Sequence, residues 1–547
     1  MLEGLMQHEH PLTLQLVLDR MRNVFGRSEL VEAVDEEGTR ERISYAEIGD
    51  RVDRLAAGLK SLGVDQGDRV ATFAWNTQRH FEVYLAVPCM GAVLHTVNVR
   101  LFEEQLEYVV NHAEDTVMFV DPRLVEPLSK LAPRFEHVRH YVVMGDADTS
   151  ALPDAVSYEE LIGSQEPGFD YPALEDRQAA GLCYTSGTTG NPKGVLYSHR
   201  SNILHAMAQG LADALGMSSS DRVMPVVPMF HANAWGLPYG AAMHGADLAM
   251  PGPYLGAEPL SRLISEEQVT AAGAVPTIWM DLLRYADDHG ADLSSMRIVA
   301  CGGSAVPRSL MEAFENRHGM KIVQAWGMTE TSPVGSVAHP PPDATGEQHW
   351  EYRSTAGRLL PLVEGRIVGD DGEELPRDGE TTGELEVRGP WVAREYYEDP
   401  AGAEKFHDGW LRTGDVASID ERGFVRISDR AKDVIKSGGE WISSVELENE
   451  IMAHDGVAEA AVVAMPDEKW SERPLACVVR EEGSDVSAEE LREHLSSRVA
   501  KWWIPDEYAF IDVVPKTSVG KFDKKVLRRR LEEGELKPEP ATSHATS

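Results

Sequence analysis

A stretch rich in glycine and hydroxyl side chains, with a single lysine, is the part of this sequence best suited to binding an anion. It runs from Tyr184 to Gly194 and follows an apolar run at 179–183. Glycines let backbone N–H groups approach an anion, hydroxyls donate to its oxygens, and lysine adds a positive charge. The ordinary nucleotide P-loop needs Gly-Lys-Ser/Thr, whereas Lys193 lies between Pro192 and Gly194. We therefore predict a polyphosphate-binding loop of another kind, in preference to a turn-rich surface loop. Its expected ligands are Thr185, Ser186, Gly187, Thr188, Thr189, Gly190 and Lys193.

The elements that must position this loop alternate along the chain. From about residue 30 to 430, short apolar runs at 69–75, 116–121 and 297–303 alternate with helical spacing at 45–62 and 259–267. Such alternation predicts an α/β fold of layered, largely parallel sheets. From about 357 to 428, closely spaced strands with glycine turns predict a small β-barrel or meander. We assign 1–428 to one large N-terminal domain.

The remainder reads as a separate, small α+β unit. Residues 429–434 are predicted to form a hinge linker, and 435–532 a mobile C-terminal domain. Ser443 with Glu446, and Ser487 with Glu490, fit the Ser-x-x-Glu capping box that begins a helix. Apolar runs at 457–465 and 474–479, with the stretch 508–514, are predicted strands. The proline-containing end, 533–547, is predicted to be disordered.

Composition excludes several classes of function. No apolar run approaches the length of a membrane span, the N-terminus lacks the basic start of a signal peptide, and four scattered cysteines form no disulfide or metal pattern. The net charge of −38 argues against a nucleic-acid or anionic-membrane partner. We therefore expect a cytoplasmic protein. With 14 lysines against 38 arginines, the acidic surface predicts a halophilic cytosol, the alternative being an acidic protein from a GC-rich genome.

The phosphate loop, taken with later blocks, resembles the adenylate-forming superfamily of acyl-CoA synthetases, adenylation domains and beetle luciferase. The resemblance extends from about residue 10 to 530 and is greatest to homodimeric fatty acyl-CoA synthetases and methylthiopropionate-CoA ligases. It implies ATP, Mg²⁺ and coenzyme A as cofactors, a carboxylic acid as the small-molecule substrate, and a homodimer. A carboxylate would attack the α-phosphate of ATP to give acyl-adenylate and pyrophosphate, and the thiol of coenzyme A would then displace AMP.

In the N-terminal domain the resemblance assigns nucleotide contacts to two blocks. In the first block Trp326, where most relatives have Tyr, would stack on adenine, Thr329 would contact phosphate, and Glu330 would bind Mg²⁺ together with Thr185. Asp415 would accept from the ribose hydroxyls. Further nucleotide contacts are expected at Gly302, Gly303, Ser304, Gln324, Ala325, Gly327 and Met328.

In the C-terminal domain the resemblance assigns the hinge to Asp429 and a ribose and phosphate contact to Arg430. Lys521 would bridge the carboxylate and the α-phosphate, and the resemblance counts it as catalytic together with Thr185, Glu330 and His231. Lys524 and Lys525 are expected to be solvated charge. The loop lining the pantetheine tunnel would include Lys436, Gly438, Gly439 and Trp441.

Two positions indicate which kind of acid is the substrate. The acyl pocket is expected at His231, Trp235, Gly302 and Gly327. Amino-acid-activating relatives carry Asp where this chain has His231, so an amino acid is not expected. Acetate-activating relatives carry a bulky Trp where this chain has Gly327, which favours a longer acyl group. Trp235 matches the tryptophan that gates the fatty-acid tunnel of long-chain relatives, but it could equally close a short pocket.

The main hypothesis is therefore an ATP-dependent ligase for a medium- or long-chain fatty acid. A short or aromatic acid, such as 3-methylthiopropionate or cinnamate, remains an alternative. So do an acyl-adenylating enzyme with another acceptor, such as a carrier protein, and a non-catalytic binder on the same fold.

Overall fold

The computed structural model describes residues 2, 4–7, 9–185, 191–369, 371–430, 433, 435–437, 440–467, 469–517 and 521–541, with the backbone alone for Lys436, Glu440 and Trp441. The helices are α1 Leu14–Val24, α2 Tyr45–Ser61, α3 Gln78–Cys89, α4 Glu103–Ala113, α5 Val125–Ser129, α6 Tyr158–Gly163, α7 His199–Gln209, α8 Leu237–His244, α9 Ala257–Glu267, α10 Pro276–His289, α11 Arg308–His318, α12 Glu347–Arg353, α13 Ser444–Met452, α14 Ala488–Ser496 and α15 Lys524–Glu532.

The strands are β1 Glu29–Ala33, β2 Arg40–Ser44, β3 Arg69–Phe73, β4 Val93–Thr96, β5 Val117–Val120, β6 His140–Val143, β7 Ala155–Ser157, β8 Ala179–Tyr184, β9 Gly194–Ser198, β10 Arg222–Pro225, β11 Asp247–Met250, β12 Ala271–Ala274, β13 Ile298–Gly302, β14 Ile322–Gly327, β15 Val334–Val337, β16 Gly357–Leu359, β17 Glu364–Val368, β18 Gly383–Arg388, β19 Phe406–His407, β20 Trp410–Ile419, β21 Phe424–Arg430, β22 Ile435–Ser437, β23 Glu440–Ile442, β24 Val457–Asp467, β25 Ser471–Arg480, β26 Glu507–Phe510 and β27 Glu539–Pro540. Short 3₁₀ turns lie at Pro122–Leu124, Ala132–Arg134, Ala232–Gly236, Thr329–Thr331 and Pro400–Lys405.

Two sheets form the large N-terminal part, as the alternation of strands and helices predicts. The first has the order β7-β6-β5-β3-β4-β8-β9 and is parallel except for the β8–β9 hairpin. In the second, β14-β13-β12-β10-β11-β1 run parallel. Their strands are buried along nearly their whole length, which suits parallel sheets covered by helices on both faces. The predicted helices at 45–62 and 259–267 are confirmed as α2 and α9, and the three predicted strands as β3, β5 and β13.

The closely spaced strands after residue 357 are antiparallel, but they continue the second sheet. Their order is β17-β18-β20-β21-β16, and β16 pairs with β15 of the same sheet. Within the described ranges no pairing between β17 and β16 closes this ladder, so of the two predicted forms it is the open meander. This antiparallel extension carries Asp415 on β20 and Asp429 and Arg430 on β21. The predicted ribose-binding aspartate and the predicted hinge therefore lie on adjacent strands, at the end of the large N-terminal part.

The C-terminal unit is a small α+β structure. Its sheet has the order β23-β22-β25-β26-β27, with β24 paired to β25. Helix α14 begins at the predicted capping box of Ser487 and Glu490, and Ser443 accepts from the backbone of Glu446 at the start of α13. None of the helices in the described ranges combines the length and apolar character needed to span a bilayer.

The prediction of disorder from residue 533 onward is wrong for 533–541. Leu536 and Ala541 are buried in the core of this unit, and β27 pairs antiparallel with β26. One leucine and one alanine change the composition of a polar tail too little to predict that it is ordered. The edge strand β26 supplies the hydrogen-bond partners that order the segment.

Candidate active site

The β8–β9 hairpin positions the predicted phosphate loop. At its base the backbone N–H of Thr185 donates to the carbonyl of Lys193 at 2.9 Å. The backbone N–H of Lys193 donates in return to Thr185 Oγ1 at 3.1 Å. The two ends of the loop are therefore fixed against each other. Its interior, with Ser186, Gly187, Thr188, Thr189 and Gly190, lies outside the described residues.

A cluster from a distant part of the chain surrounds the Lys193 side chain. Its Nζ lies 3.3 Å from Asp399 Oδ2 and 4.9 Å from the centre of the Tyr396 ring. The Tyr396 hydroxyl donates to Glu330 Oε1 at 2.6 Å, and Glu330 is buried. Burial and the Glu330 charge raise the pKa of Tyr396, so this hydroxyl stays a donor. Lys193, Glu330 and the loop base are thus neighbours.

These groups suit Mg²⁺ in their chemistry. Mg²⁺ takes oxygen ligands, and the Glu330 carboxylate and the Thr185 hydroxyl are both oxygen donors. In metal sites a ligand is commonly oriented by a hydrogen bond from a neighbouring residue, and the Tyr396 hydroxyl donates such a bond to Glu330. The residues present therefore fit a Mg²⁺ ion held together with phosphate oxygens.

Trp326 and Asp415 are joined directly. The indole Nε1–H donates to Asp415 Oδ2 at 2.8 Å, and Arg430 Nε lies 2.9 Å from Asp415 Oδ1. The Asp415 charge is the main cause that raises the pKa of Arg430. The indole also packs on Gly335, where an added Cβ would lie 2.6 Å from Trp326 Cζ3. Three residues predicted to contact nucleotide are therefore connected through one buried carboxylate.

The rest of the Trp326 block is held by backbone contacts. The buried Tyr197 hydroxyl donates to the Thr329 carbonyl at 2.7 Å, and the backbone N–H of Met328 donates to the Pro333 carbonyl at 3.1 Å. Gln324 Oε1 accepts from the backbone of Val306 at 2.9 Å, which ties β14 to the segment after β13. Ala325 is buried beside Gln324.

Lys521, which the resemblance assigns to adenylation, lies over the glycine segment that follows β13. Gly303 has φ of +91°, and an added Cβ would lie 3.2 Å from Lys521 Cε. Gly302 is buried against the carbonyl of Ala325, whereas Gly303 and Ser304 are exposed. The C-terminal unit thus brings Lys521 next to Gly303 of the N-terminal part.

His231 faces a positively charged environment. Burial, followed by the charges of Lys521 and Arg100, lowers the pKa of His231 to about 3, so the imidazole is neutral at physiological pH. The Arg100 guanidinium lies over the rings of Trp75 and Phe230, 5.5 and 5.9 Å from their centres. A negatively charged ligand beside His231 would meet two cations.

Trp235 forms the wall beside His231 through an unusual turn. Ala232–Gly236 is left-handed, with φ between 43° and 75° at every residue, a conformation that costs non-glycine residues about 1–2 kcal/mol each. The Trp235 carbonyl accepts from Gln209 Nε2 at 3.0 Å, which helps to hold the turn. The indole lies on two glycines, since an added Cβ on Gly273 or Gly302 would be 3.4 or 3.5 Å from its ring.

Gly327 has a different role from the one predicted. An added Cβ would lie 1.9 Å from the carbonyl oxygen of Pro333, so the space beside this glycine is filled by backbone. The glycine permits the close approach of 327 and 333 at the β14–β15 bulge. Its geometry therefore does not support the inference that it leaves room for the acyl group.

The predicted hinge residue is buried at the contact between the two units. Asp429 lies on β21, and its Oδ2 accepts from the backbone N–H of Ser444 at 2.8 Å. Burial raises the pKa of Asp429. In the predicted pantetheine loop, Lys436 and Trp441 are cross-strand partners of the β22–β23 hairpin. Gly438 and Gly439 lie outside the described residues.

Sequence reasoning missed several side chains of this site. Tyr396 and Asp399 lie between two predicted blocks and carry no pattern of their own, and Arg100 lies more than a hundred residues before His231. Only tertiary contact reveals them.

Comparisons with protein families, with individual proteins and with solved structures agree with one another. The AMP-binding enzyme family matches residues 22–397, and the AMP-binding enzyme C-terminal domain matches residues 446–521. A 3-methylmercaptopropionyl-CoA ligase of Ruegeria lacuscaerulensis is 45% identical over 525 residues, covering 95% of this chain and 97% of that protein. A long-chain-fatty-acid–CoA ligase of Thermus thermophilus is 45% identical over 528 residues, covering 95% and 96%. The crystal structure of an anthranilate CoA ligase with anthranoyl-AMP has a TM-score of 0.87, 24% identity and coverage of 96% and 99%, and so shares the fold.

Proposed function

This chain belongs to the AMP-binding enzyme family and is an ATP-dependent, AMP-forming acid–CoA ligase, and on that premise we propose that its acid is a medium- or long-chain fatty acid. The acid's carboxylate oxygen attacks the α-phosphorus of ATP, the bond to pyrophosphate breaks, and acyl-AMP forms. The thiol of coenzyme A loses its proton, its sulfur attacks the acyl carbon, and AMP leaves.

The observation that carries this chemistry is the position of Lys521 over Gly303 and beside His231. Carboxylate and phosphate are both anions, and their approach needs preorganised positive charge. Lys521 supplies that charge. His231 is neutral and therefore offers no proton that the attacking carboxylate could take up. Asp415, already oriented by Trp326 and Arg430, accepts from the ribose.

Glu330 and Thr185 would hold a Mg²⁺ ion. When bound, it would supply positive charge to the phosphate oxygens. Tyr396 keeps the Glu330 carboxylate in place through its hydrogen bond, and Lys193 contributes a second positive charge next to the phosphate loop.

Two features support a fatty acid as the substrate. The charged groups that act on His231 among the described residues are Lys521 and Arg100, and these two cations favour a carboxylate over an amino-acid ammonium on that side of the pocket. The wall formed by the Trp235 indole is apolar, and the Thermus relative is named for long-chain fatty acids. The second candidate is 3-methylthiopropionate, because the Ruegeria relative of equal identity is named for the corresponding thioester.

The test is pyrophosphate release by the purified protein with ATP and Mg²⁺. The acids would run from propionate to palmitate, with 3-methylthiopropionate and cinnamate, each with and without coenzyme A. We expect the highest kcat/KM for acids of eight or more carbons (about a C8–C16 range, by the area of chain that an apolar wall can bury). A maximum at 3-methylthiopropionate would replace the fatty-acid proposal. Pyrophosphate release without thioester would indicate another acceptor.

The setting of the enzyme is part of the proposal. We infer a homodimer from the resemblance to homodimeric fatty acyl-CoA synthetases, and a cytoplasm of high salt from the net charge of −38 and the scarcity of lysine. Sedimentation at several protein concentrations tests the dimer. Activity and unfolding measured from low salt to multimolar KCl test the halophile hypothesis, which predicts loss of both at low salt.

A further inference from the structure

Lys524 is buried, although the sequence predicts a solvated charge. It is the first residue of α15, three positions after Lys521, and its side chain is 11% exposed. Its Nζ lies 2.8 Å from Glu448 Oε1 and donates to Ser444 Oγ at 2.6 Å. Lysine is almost never buried unless it is paired, and here both partners come from α13.

The hydrogen bonds continue from Lys524 to the predicted hinge. Ser444 Oγ donates to Asp429 Oδ2, and the backbone N–H of Ser444 donates to the same oxygen at 2.8 Å. Glu448 Oε1 also accepts from the backbone of Val462 at 2.7 Å. The ammonium thus faces two buried carboxylates, Asp429 and Glu448. Asp433, paired with Arg528, is the third acidic group that acts on it.

This network connects two parts of the site that lie far apart in sequence. At one end Asp429 precedes Arg430, which pairs with Asp415. At the other end Lys524 follows the turn that carries Lys521. In that turn the backbone N–H of Thr517 donates to the Lys521 carbonyl, and that of Asp523 to the Pro515 carbonyl, both at 2.7 Å.

We propose that Lys524 is a positioning residue for the acid-activating step, holding the Lys521 turn against β21 through Ser444, Glu448 and Asp429. The inference rests on the proposed function for its kinetic consequence. Lys524 itself touches no substrate. It fixes where the charge of Lys521 stands relative to Arg430 and Asp415, and misplacement by about 1 Å can cost about 100-fold in rate.

Two variants test this. Lys524→Met alone would leave buried carboxylates without a partner and destabilise the fold, so Lys524→Met is combined with Glu448→Met, an apolar replacement of the ion pair. Ser444→Ala removes the middle of the network without changing any charge. The matched control is Lys525→Met, an exposed neighbour on the same helix.

Two measurements are made on the full chain. In the first, acyl-AMP formation by the double variant should fall about 10- to 100-fold in kcat, and thioester formation from supplied acyl-adenylate and coenzyme A should stay within about twofold. In the second, hydrogen exchange at the amides of Thr517 and Asp523 should accelerate in both variants but not in Lys525→Met.

The results separate the inference from the proposed function. If the wild type forms no acyl-AMP from any acid, the proposed function fails, and the exchange rates still test the positioning role. If the variants adenylate within twofold of the wild type, or lose both half-reactions equally, the positioning role is overturned. Unchanged exchange at Thr517 and Asp523 would overturn it as well.

Discussion

Trp326→Phe would remove the indole N–H that donates to Asp415 and keep an aromatic ring at the adenine position. Asp415 would then retain the Arg430 contact on Oδ1 and lose its partner on Oδ2. Because Asp415 is buried, water does not readily replace that partner. We therefore expect a less well oriented carboxylate and weaker binding of the ATP ribose.

The expected magnitude follows from the charge of the acceptor. A hydrogen bond to a charged group contributes about 1.5–3 kcal/mol, and about 1.4 kcal/mol corresponds to a tenfold change in an equilibrium constant. The bond is present before ATP binds, so this energy is the upper limit of its effect on binding, and the KM for ATP should rise about 3- to 100-fold. In the proposed function Asp415 contacts the ribose, which does not change during the reaction, so kcat should change little.

A double-mutant cycle separates the hydrogen bond from the loss of ring size. The dissociation constant of a non-hydrolysable ATP analogue would be measured for Trp326→Phe, Asp415→Asn and the double variant. If Trp326 acts through Asp415, the two effects on binding free energy are not additive. Additive effects, or a KM within twofold of the wild type, would refute this reasoning. Trp350→Phe, on the distant helix α12, is the control for a general loss of an indole.

Three further outcomes are expected. Lys521→Ala should slow acyl-AMP formation about 100- to 1,000-fold and still convert supplied acyl-adenylate to thioester, since only the first step brings two anions together; equal loss in both assays would contradict this. Tyr396→Phe removes the hydroxyl that orients Glu330 and should raise the half-saturating Mg²⁺ concentration about 10- to 100-fold in the pyrophosphate assay, and an unchanged value would exclude Glu330 as a ligand. In the folded protein the pKa of His231 is lowered to about 3, whereas the imidazole of the unfolded chain has a pKa of about 6.5. Between these two pH values the unfolded chain binds one proton more than the folded protein. The contribution of His231 to the free energy of unfolding is therefore fully present above pH 6.5 and is lost as the pH falls towards 3. His231→Gln should therefore reduce the pH slope of the free energy of unfolding by about 1 kcal/mol per pH unit near pH 5, measured by chemical denaturation, and an unchanged slope would mean that the imidazole is charged in the native state.

Local signals predicted much of the fold. Helix α2 and the strands β3, β5 and β13 follow from periodicity and apolar runs within short windows, and α14 follows from the Ser487 capping box. The choice between barrel and meander was left open, and the order of 533–541 was mispredicted, for one shared reason. Whether an antiparallel ladder closes, and whether a polar tail pairs with an edge strand, depends on strands that are distant in sequence.

The sequence by itself determined which residue types stand at the site and in which order, because glycine, hydroxyl, carboxylate and lysine each have a chemistry that spacing makes recognisable. Only the tertiary structure decided how those residues are used. It joined Trp326 to Asp415, placed Tyr396 behind Glu330, filled the space beside Gly327 with a carbonyl, and buried Lys524. The physical reason is that desolvation and hydrogen bonding act over a few ångströms in space, and chain separation carries no information about them.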